Sequence, residues 1–337
     1  MSDPGIAEKL VAVLQRPDGD TALRPVHSIG ISATGSFEPS PIARHYCVAD
    51  HFSAEKTDVI ARFSNGSGCA AVHDGWSDVR GMAVRFHLGD GTDTDLIAMT
   101  LPEFFAPTPE TFLDFAEAAK PRMYEAESPW RKICNYLQLI LPKRDPYPGE
   151  TISPDDGAIE FADQNAYSQL GIMQAAQIGA PTSYVRAAYH AVHTFVVTGE
   201  DNTRRWVRFS WQPIAGVLRT DPNNAPVDDY LRAELKDRLA KEPARFSLMM
   251  MIGEVGDDFN NSSRPWPPHR KRIMMGTLTL DTVPEDQIAD CEKLSFNPGL
   301  LTNGIEASDD PVLRVRIDSY RISSEWRGGS LCPFSES

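Results

Sequence analysis

The stretch "RRWVRFSWQP", residues 204–213, alternates polar and apolar side chains and predicts a strand with one buried face. Seven other runs have a similar strand-like composition, and Asp-Gly or Asn-rich turns separate several of them. The eight predicted strands cover residues 29–38, 59–64, 81–87, 96–100, 188–198, 206–214, 246–253 and 272–280. This pattern is typical of antiparallel strands, and eight of them favour a closed barrel.

Helical spacing of apolar residues occurs at the start of the chain, between the two groups of four strands, and near the end. The predicted helical segments are residues 6–16, an insertion at about 109–167 that includes a helix over 128–141, a connection at 227–242, and a last helix that begins at Asp310-Pro311. We therefore predict an α+β fold as a single domain over residues 1–337: an eight-stranded antiparallel β-barrel with helical insertions and a C-terminal helix.

Composition and charge exclude several classes of function. The formal net charge is −14, and nucleic acids and anionic membranes require basic surfaces, so we expect neither as a partner. The sequence contains no run of eighteen apolar residues, so it predicts no membrane-spanning helix. The five cysteines have no CxxC spacing and indicate reduced thiols in a cytoplasmic protein: Cys47, Cys69, Cys134, Cys291 and Cys332.

Three residues have side chains suited to chemistry, and each has a plain structural alternative. His27 is either a proton-transfer group or a hydrogen-bonded core residue. Arg316 and Tyr320 are four residues apart in the last predicted helix, so the guanidinium is expected to lie near the phenol and to favour phenolate. The alternative is a core tyrosine beside a surface ion pair. In "YHAVH", His190 and His193 have a spacing that argues against shared metal coordination in a strand.

Four segments, in the same order along the chain, resemble the haem catalase superfamily. "RPVHSIGISATGSFE" from Arg24 is similar to that family's "RVVHAKGAGAFGYFE", and "ARFSNGSG" from Ala61 is similar to "VRFSTVAG". "DVRGMAVRFH" from Asp78 resembles "DPRGFAVKFY", and "GIEASDDPVLRVRIDSY" from Gly304 resembles "GIEPSPDKMLQGRLFSY". The resemblance implies a barrel whose C-terminal helix carries the ligand of a haem, expected to be haem b.

The resemblance also implies roles for individual residues. The catalytic residues would be the distal His27 and Ser64, whose hydroxyl orients the imidazole, and Tyr320 would be the axial ligand of the iron. The haem would be bound by Arg24, Val26, Arg62, Phe112, Arg316, Tyr320 and Arg327. These include three arginines for the haem propionates, the ring of Phe112 against the haem face, and Arg316 as the partner of the tyrosine.

One segment departs from the family pattern. Where catalases have "WDLVGNNTPVFF", this chain has "TDLIAMTLPEFF", so Met99 replaces the asparagine that helps to hold peroxide. We therefore expect a cytoplasmic haem peroxidase with weak or absent catalase activity, which reduces hydrogen peroxide or organic hydroperoxides with a small organic electron donor. The resemblance favours a homo-oligomer, either a dimer or a tetramer. Two alternatives stay open: a hydroperoxide-rearranging enzyme similar to catalase-related allene oxide synthases, and a haem-binding protein without turnover.

Overall fold

The computed structural model describes residues 4–15, 24–66, 73–124, 158–221, 226, 229–287 and 293–328. Its strands are β1 (Gly30–Pro39), β2 (Thr57–Asn65), β3 (Arg80–His87), β4 (Asp93–Met99), β5 (Tyr189–Thr198), β6 (Arg204–Pro213), β7 (Ala244–Ile252), β8 (Arg272–Thr282) and β9 (Ile305–Ala307). Its helices are α1 (Pro4–Leu14), α2 (Ala43–Tyr46), α3 (Pro109–Tyr124), α4 (Ala158–Gln164), α5 (Ala166–Gln177), α6 (Leu231–Leu239) and α7 (Pro311–Trp326).

Strands β1 to β8 form a closed antiparallel barrel, which confirms the predicted fold. The neighbours run β4-β3-β2-β1-β8-β7-β6-β5, and β4 returns to β5 at the pair Met99 and His190. Strand β1 pairs with β8 from Thr34 opposite Thr282, so the first and the eighth strands meet in one ladder and close the barrel. The short strand β9, which was not predicted, pairs with the far end of β5 and directly precedes α7.

Aromatic side chains fill the interior of the barrel. Phe37 contacts Phe86 and Trp211 edge to face, with ring centroids 5.3 and 6.2 Å away, and all three rings are buried. His51 lies in the same core, stacked on Phe86 at 4.4 Å. Burial lowers the pKa of His51 to about 3, so this imidazole is neutral at pH 7. The inward-facing alternation that predicts the strands thus accounts for the core.

Helices cover one side of the barrel. The apolar face of α1 packs on α3 and α7 through residues such as Leu10, Ala116 and Val315. In α7, Asp310 caps the first turn by accepting from the backbone nitrogens of Val312 and Leu313, at 2.9 and 3.4 Å, as the sequence predicts. This packing fixes α7, the helix that carries Arg316 and Tyr320, against the barrel and α1.

Some predictions fall on other parts of the chain. The helix predicted over 128–141 and four of the five cysteines, Cys69, Cys134, Cys291 and Cys332, lie outside the described residues. Cys47 is a free thiol, and burial raises its pKa to about 12, so it is not a nucleophile at neutral pH. Within the described ranges, no helix has the length and apolar character needed to cross a membrane.

Candidate functional site

His27 lies in a tight turn just before β1 and has a left-handed backbone, with φ of 58°. This conformation costs an L-residue about 1–2 kcal/mol, so the surrounding structure must hold it. The backbone nitrogen of His27 donates to the Gly66 carbonyl at 3.2 Å. The Arg62 guanidinium donates to the carbonyls of His27 and Ser28 at 3.0 and 3.3 Å. The end of β2 therefore holds the turn from both sides.

The imidazole of His27 is fixed by close contacts with β2 and β3. Its Nδ1 lies 3.0 Å from the Ser64 hydroxyl oxygen, which is the contact that the sequence resemblance implies. Gly81, opposite Ser64 in the ladder, leaves room for the ring: a Cβ there would lie 2.7 Å from Ser64 Oγ and 2.9 Å from the ring of His27. A glycine is thus required for the imidazole to occupy this position.

Burial and three cations keep His27 neutral. Burial makes the largest contribution, and the guanidiniums of Arg62, Arg316 and Arg24 add to it, so that the pKa of His27 falls to about 3. These arginines come from β2, α7 and the loop before β1. The segment around His27 and helix α7, which are distant in sequence, therefore converge on one positively charged site.

The other arginine expected at the site, Arg327, lies at the C-terminal end of α7, where its Nε donates to the Ser323 carbonyl at 3.2 Å. It follows Tyr320 by two helical turns, so both residues lie on the same face of the helix. Arg24 donates to the Leu294 carbonyl at 2.8 Å. Val26 is half-buried beside His27.

Tyr320 stands at one end of a chain of hydrogen bonds. Arg316 Nη2 donates to the Tyr320 hydroxyl at 3.1 Å, which is the contact that the four-residue spacing predicts. Arg316 Nη1 lies 2.8 Å from His193 Nε2, and His193 Nδ1 lies 2.7 Å from Asp310 Oδ2. The same Asp310 caps α7 with its other oxygen. The chain of hydrogen bonds therefore runs from the N-cap residue of the helix to the phenol, through a histidine of β5.

Charge states along this chain follow from burial and pairing. Burial lowers the pKa of His193 although Asp310 opposes the shift, so the imidazole is neutral. Burial alone would raise the pKa of Asp310, but the hydrogen bond from His193 and those from the two backbone donors bring it below its usual value. An ionised Asp310 accepts from His193 Nδ1, so Nε2 is left as the acceptor for Arg316.

His193 and Asp310 are the two residues of this site that the sequence analysis did not assign to it. Asp310 was recognised only as a helix cap, and His193 only as a poor partner of His190 for a metal. The two histidines of β5 have different surroundings: His193 contacts α7, whereas His190 pairs with β4. The acidic cap and the histidine are 117 residues apart, so no local spacing could have joined them.

An aromatic cluster closes the space between β4 and α7. Phe112 of α3 lies 5.1 and 5.6 Å from the rings of Phe104 and Phe105. Met99 packs against the same cluster and is the ladder partner of Gly81. The guanidinium of Arg316 lies 5.5 Å from the ring of Phe104. The methionine that replaces an amide is therefore part of an apolar wall next to His27.

Comparisons with known proteins agree with this geometry. The family model described as "Catalase" matches residues 19–331. The chain is 30% identical to a catalase-related peroxidase of Mycolicibacterium paratuberculosis, over 91% of this chain and 89% of that protein. A catalase-related peroxidase of Synechococcus elongatus is 27% identical, over 90% and 83% of the two chains.

Longer catalases match as well. The chain is 25% identical to a catalase of Alkalihalophilus pseudofirmus, over 92% of this chain but only 47% of that protein. The crystal structure of a fungal catalase has the same fold, with a TM-score of 0.74 at 22% identity, over 91% of this chain and 59% of that one. With the family model matched from the turn that holds His27 to the helix that holds Tyr320, the chain belongs to the catalase family and is an oxidoreductase that acts on peroxide.

Proposed function

We propose that the chain is a haem-dependent peroxidase, that it reduces hydrogen peroxide or organic hydroperoxides with an organic electron donor, and that it has weak or no catalase activity. The observation that carries the proposal is the apolar side chain of Met99 beside an intact pair of His27 and Ser64. The pair provides for peroxide cleavage, whereas the thioether offers no hydrogen-bond donor to hold a second peroxide.

The residues of the site fit a haem. The guanidiniums of Arg24 and Arg62 both act on His27, and such cations are suitable partners for the two carboxylates of an anionic prosthetic group. A phenol beside a guanidinium is a suitable oxygen ligand for ferric iron, and tyrosine is the axial ligand in catalase. In this proposal Tyr320 binds the iron of haem b, Arg24, Arg62 and Arg327 bind the propionates, and Phe112 with Val26 bounds the pocket. When bound, haem supplies the iron centre and the redox capacity that the side chains lack.

His27 provides the proton transfer. With the hydrogen of Nδ1 directed at Ser64, Nε2 keeps a lone pair and can accept a proton from the inner peroxide oxygen. The same nitrogen then delivers that proton to the outer oxygen, which leaves as water or alcohol. Since the pKa of His27 is about 3, the imidazole is ready to accept over the whole neutral range. The strained turn and Gly81 hold the ring in position for this transfer.

On the Tyr320 side, hydrogen bonds fix the position of the phenol. The guanidinium of Arg316 donates to the Tyr320 hydroxyl oxygen, and the neutral His193 with Asp310 orients that guanidinium. We expect the Tyr320→Phe variant to lose the absorption bands of a phenolate-ligated ferric haem, because the remaining ring has no oxygen.

The test measures two products that the haem-loaded protein forms from peroxide, which are the oxidised donor and dioxygen. We expect hydrogen peroxide with a phenolic donor to give donor oxidation and little dioxygen. The Met99→Asn variant should release more dioxygen, because the amide restores a donor to the apolar wall. The matched control is Met274→Asn, at an exposed methionine of β8. Dioxygen release by the native protein at a rate comparable to donor oxidation would contradict the proposal.

A second substrate separates peroxidase activity from rearrangement. A fatty-acid hydroperoxide is supplied with and without the phenolic donor, and the products are identified by mass spectrometry. A peroxidase should form the alcohol only as the donor is consumed. A rearranged product formed without a reductant would favour the hydroperoxide-rearranging alternative, and no conversion under either condition would favour the alternative without turnover.

A further inference from the structure

A cavity of about 370 Å³ lies at the ends of β3, β4 and β5, among α5 and the loop that follows β6. Its volume is within the range of small-molecule binding sites. Arg80, Leu101 and Ala187 are buried at its base, and Gln177, Val217 and Arg219 are exposed at its mouth. The cavity is therefore reached from solvent without passing through the site that contains His27.

The described lining of the cavity is positively charged. It contains the guanidiniums of Arg80, Arg186 and Arg219 and one carboxylate, Asp78, so two positive charges remain. Burial lowers the pKa of His190, also in the lining, to about 4, and this imidazole is neutral at pH 7. In a protein with a formal net charge of −14, this concentration of guanidiniums favours an anionic ligand.

Several buried polar atoms of the lining have no hydrogen-bond partner within the described part of the chain: Arg80 Nε, Arg186 Nε and Gln174 Oε1. Arg80 is only 1% exposed, and its Nη2 is fixed by the carbonyls of Asp74 and Trp76 at 2.7 and 3.1 Å. A buried donor without a partner is rare in folded proteins. A bound carboxylate would supply acceptors to guanidiniums whose orientation is already set.

The rest of the lining is apolar and suits a flat organic body. Leu101, Pro102, Ile178, Pro181 and Val217 contribute to it. Small-ligand sites commonly combine such apolar walls with a few fixed polar groups that set the orientation. A ring with a carboxylate therefore matches the cavity better than an inorganic anion, which would leave the apolar walls without a partner.

The cavity lies directly behind the site of His27. Arg80 and Thr100 are joined by two hydrogen bonds, from Arg80 N to Thr100 Oγ1 at 3.0 Å and from Thr100 N to Arg80 O at 2.9 Å. The residues next to them in the chain are Gly81 and Met99, which are ladder partners, and Gly81 adjoins the ring of His27. A molecule in the cavity is thus separated from the candidate active site by the ends of two strands.

We propose that this cavity is the binding site of the electron donor, and that the donor is a small aromatic molecule with a carboxylate and an oxidisable hydroxyl. The inference rests on the proposed peroxidase function. In the overall reaction, one hydrogen peroxide takes up two electrons and two protons, its O–O bond breaks, and two waters form. Each of two phenolic donors loses one electron and the proton of its hydroxyl and becomes a phenoxyl radical.

The experiment uses the haem-loaded protein and two probes, 4-hydroxy-3-methoxybenzoate and its uncharged methyl ester. Binding is measured by calorimetry without peroxide, and donor oxidation by steady-state kinetics with peroxide. The variants are Arg186→Gln and the exposed Arg219→Gln, and thermal unfolding verifies that both fold. The matched control is Arg204→Gln, an exposed arginine at the opposite end of β6.

We expect the carboxylate probe to bind more tightly than the ester. The KM for the carboxylate probe should rise about fivefold in Arg219→Gln, where solvent screens the charge. It should rise about tenfold in Arg186→Gln, where the lost group is partly buried. The kcat, the KM for peroxide and the KM for the ester should stay close to native values. The Arg204→Gln control should leave all of these quantities unchanged.

Two kinds of failure are distinguishable. If neither probe is oxidised, the proposed peroxidase function fails, and calorimetry still reports whether the cavity binds the carboxylate. If the carboxylate probe does not bind, or if the arginine variants leave its dissociation constant and KM unchanged, the donor site is overturned. Equal increases in KM for the carboxylate and the ester would also overturn it, because they would show no recognition of charge.

Discussion

The two sides of the candidate site are held by different means. On the His27 side, backbone groups and a glycine fix one imidazole in a strained turn. On the Tyr320 side, a regular helix presents the phenol, and two further side chains in series, His193 and Asp310, orient its neighbour Arg316. The first side depends on shape and the second on charge and hydrogen bonding, so substitutions on the two sides should fail in different ways.

The largest effect is expected from removing the imidazole on the strained side. In His27→Asn, the new residue tolerates the left-handed backbone, so the turn should persist while the proton-transfer group is lost. The rate of peroxide cleavage should fall by about 10³-fold, within the usual contribution of a general acid–base group. Stopped-flow spectroscopy of the haem-loaded protein measures this rate. Haem content should be unchanged, and a near-native rate would remove His27 from the mechanism.

The next effect distinguishes shape from chemistry on the same side. Gly81→Ala keeps every polar group but places a methyl within 2.7 Å of Ser64 Oγ and 2.9 Å of the ring of His27. Displacing the ring should lower the peroxide rate by about 10²-fold, since small misplacements of a reacting group have effects of this size. Gly89→Ala is the control, because nothing lies within 4 Å of a Cβ there. Equal peroxide rates for Gly81→Ala and Gly89→Ala would show that the missing side chain at Gly81 is not needed to position the ring of His27.

On the Tyr320 side, Asp310→Asn tests the chain of hydrogen bonds. An asparagine still caps α7, but its amide favours the other tautomer of His193, which turns an N–H toward Arg316 and breaks their contact. The unpaired groups should reduce the free energy of unfolding by about 2 kcal/mol, as measured in urea. The absorption bands of the haem-loaded protein should also shift. The control is the neighbouring residue Asp309, which is exposed: its replacement by asparagine should change neither quantity. A native spectrum of the Asp310→Asn variant would show that this carboxylate does not act on Tyr320.

The smallest effect, when expressed per pH unit, concerns a histidine in the barrel core that serves as a reference for His27. Burial lowers the pKa of His51 to about 3 without help from cations. As the pH falls below 6.5, the unfolded chain gains a proton at His51 that the folded chain does not accept until about pH 3. Stability should therefore fall with acid, by about 1.4 kcal/mol per pH unit from this residue. Urea unfolding of His51→Leu should show a shallower slope between pH 6 and 4 than that of the native protein, and an unchanged slope would contradict the prediction.

The sequence was most informative where one period of side chains determined the outcome. Alternation in several runs, with strand-like composition in the others, predicted all eight barrel strands, and the four-residue spacing predicted the contact of Arg316 with Tyr320. Strand β9 was not predicted, because three residues are too few to display a period. The left-handed backbone of His27 was also missed, since distant residues impose it: Arg62 donates to the His27 carbonyl, and the Gly66 carbonyl accepts from the His27 backbone nitrogen. The contact between His193 and Asp310 could not be predicted, because the sequence does not show which strand packs against α7.

The pairing of β1 with β8 has a consequence for how the protein is made. Thr34 and Thr282 belong to one ladder, so closing the barrel requires β8, and the residues that surround His27 include Arg316, so the complete site also requires α7. Contacts between such distant segments form late and slowly during folding. A ribosome-bound chain that lacks α7 therefore contains all eight barrel strands but no complete site. In the proposed haem protein, uptake of the haem should follow the packing of α7, and its colour would report complete folding.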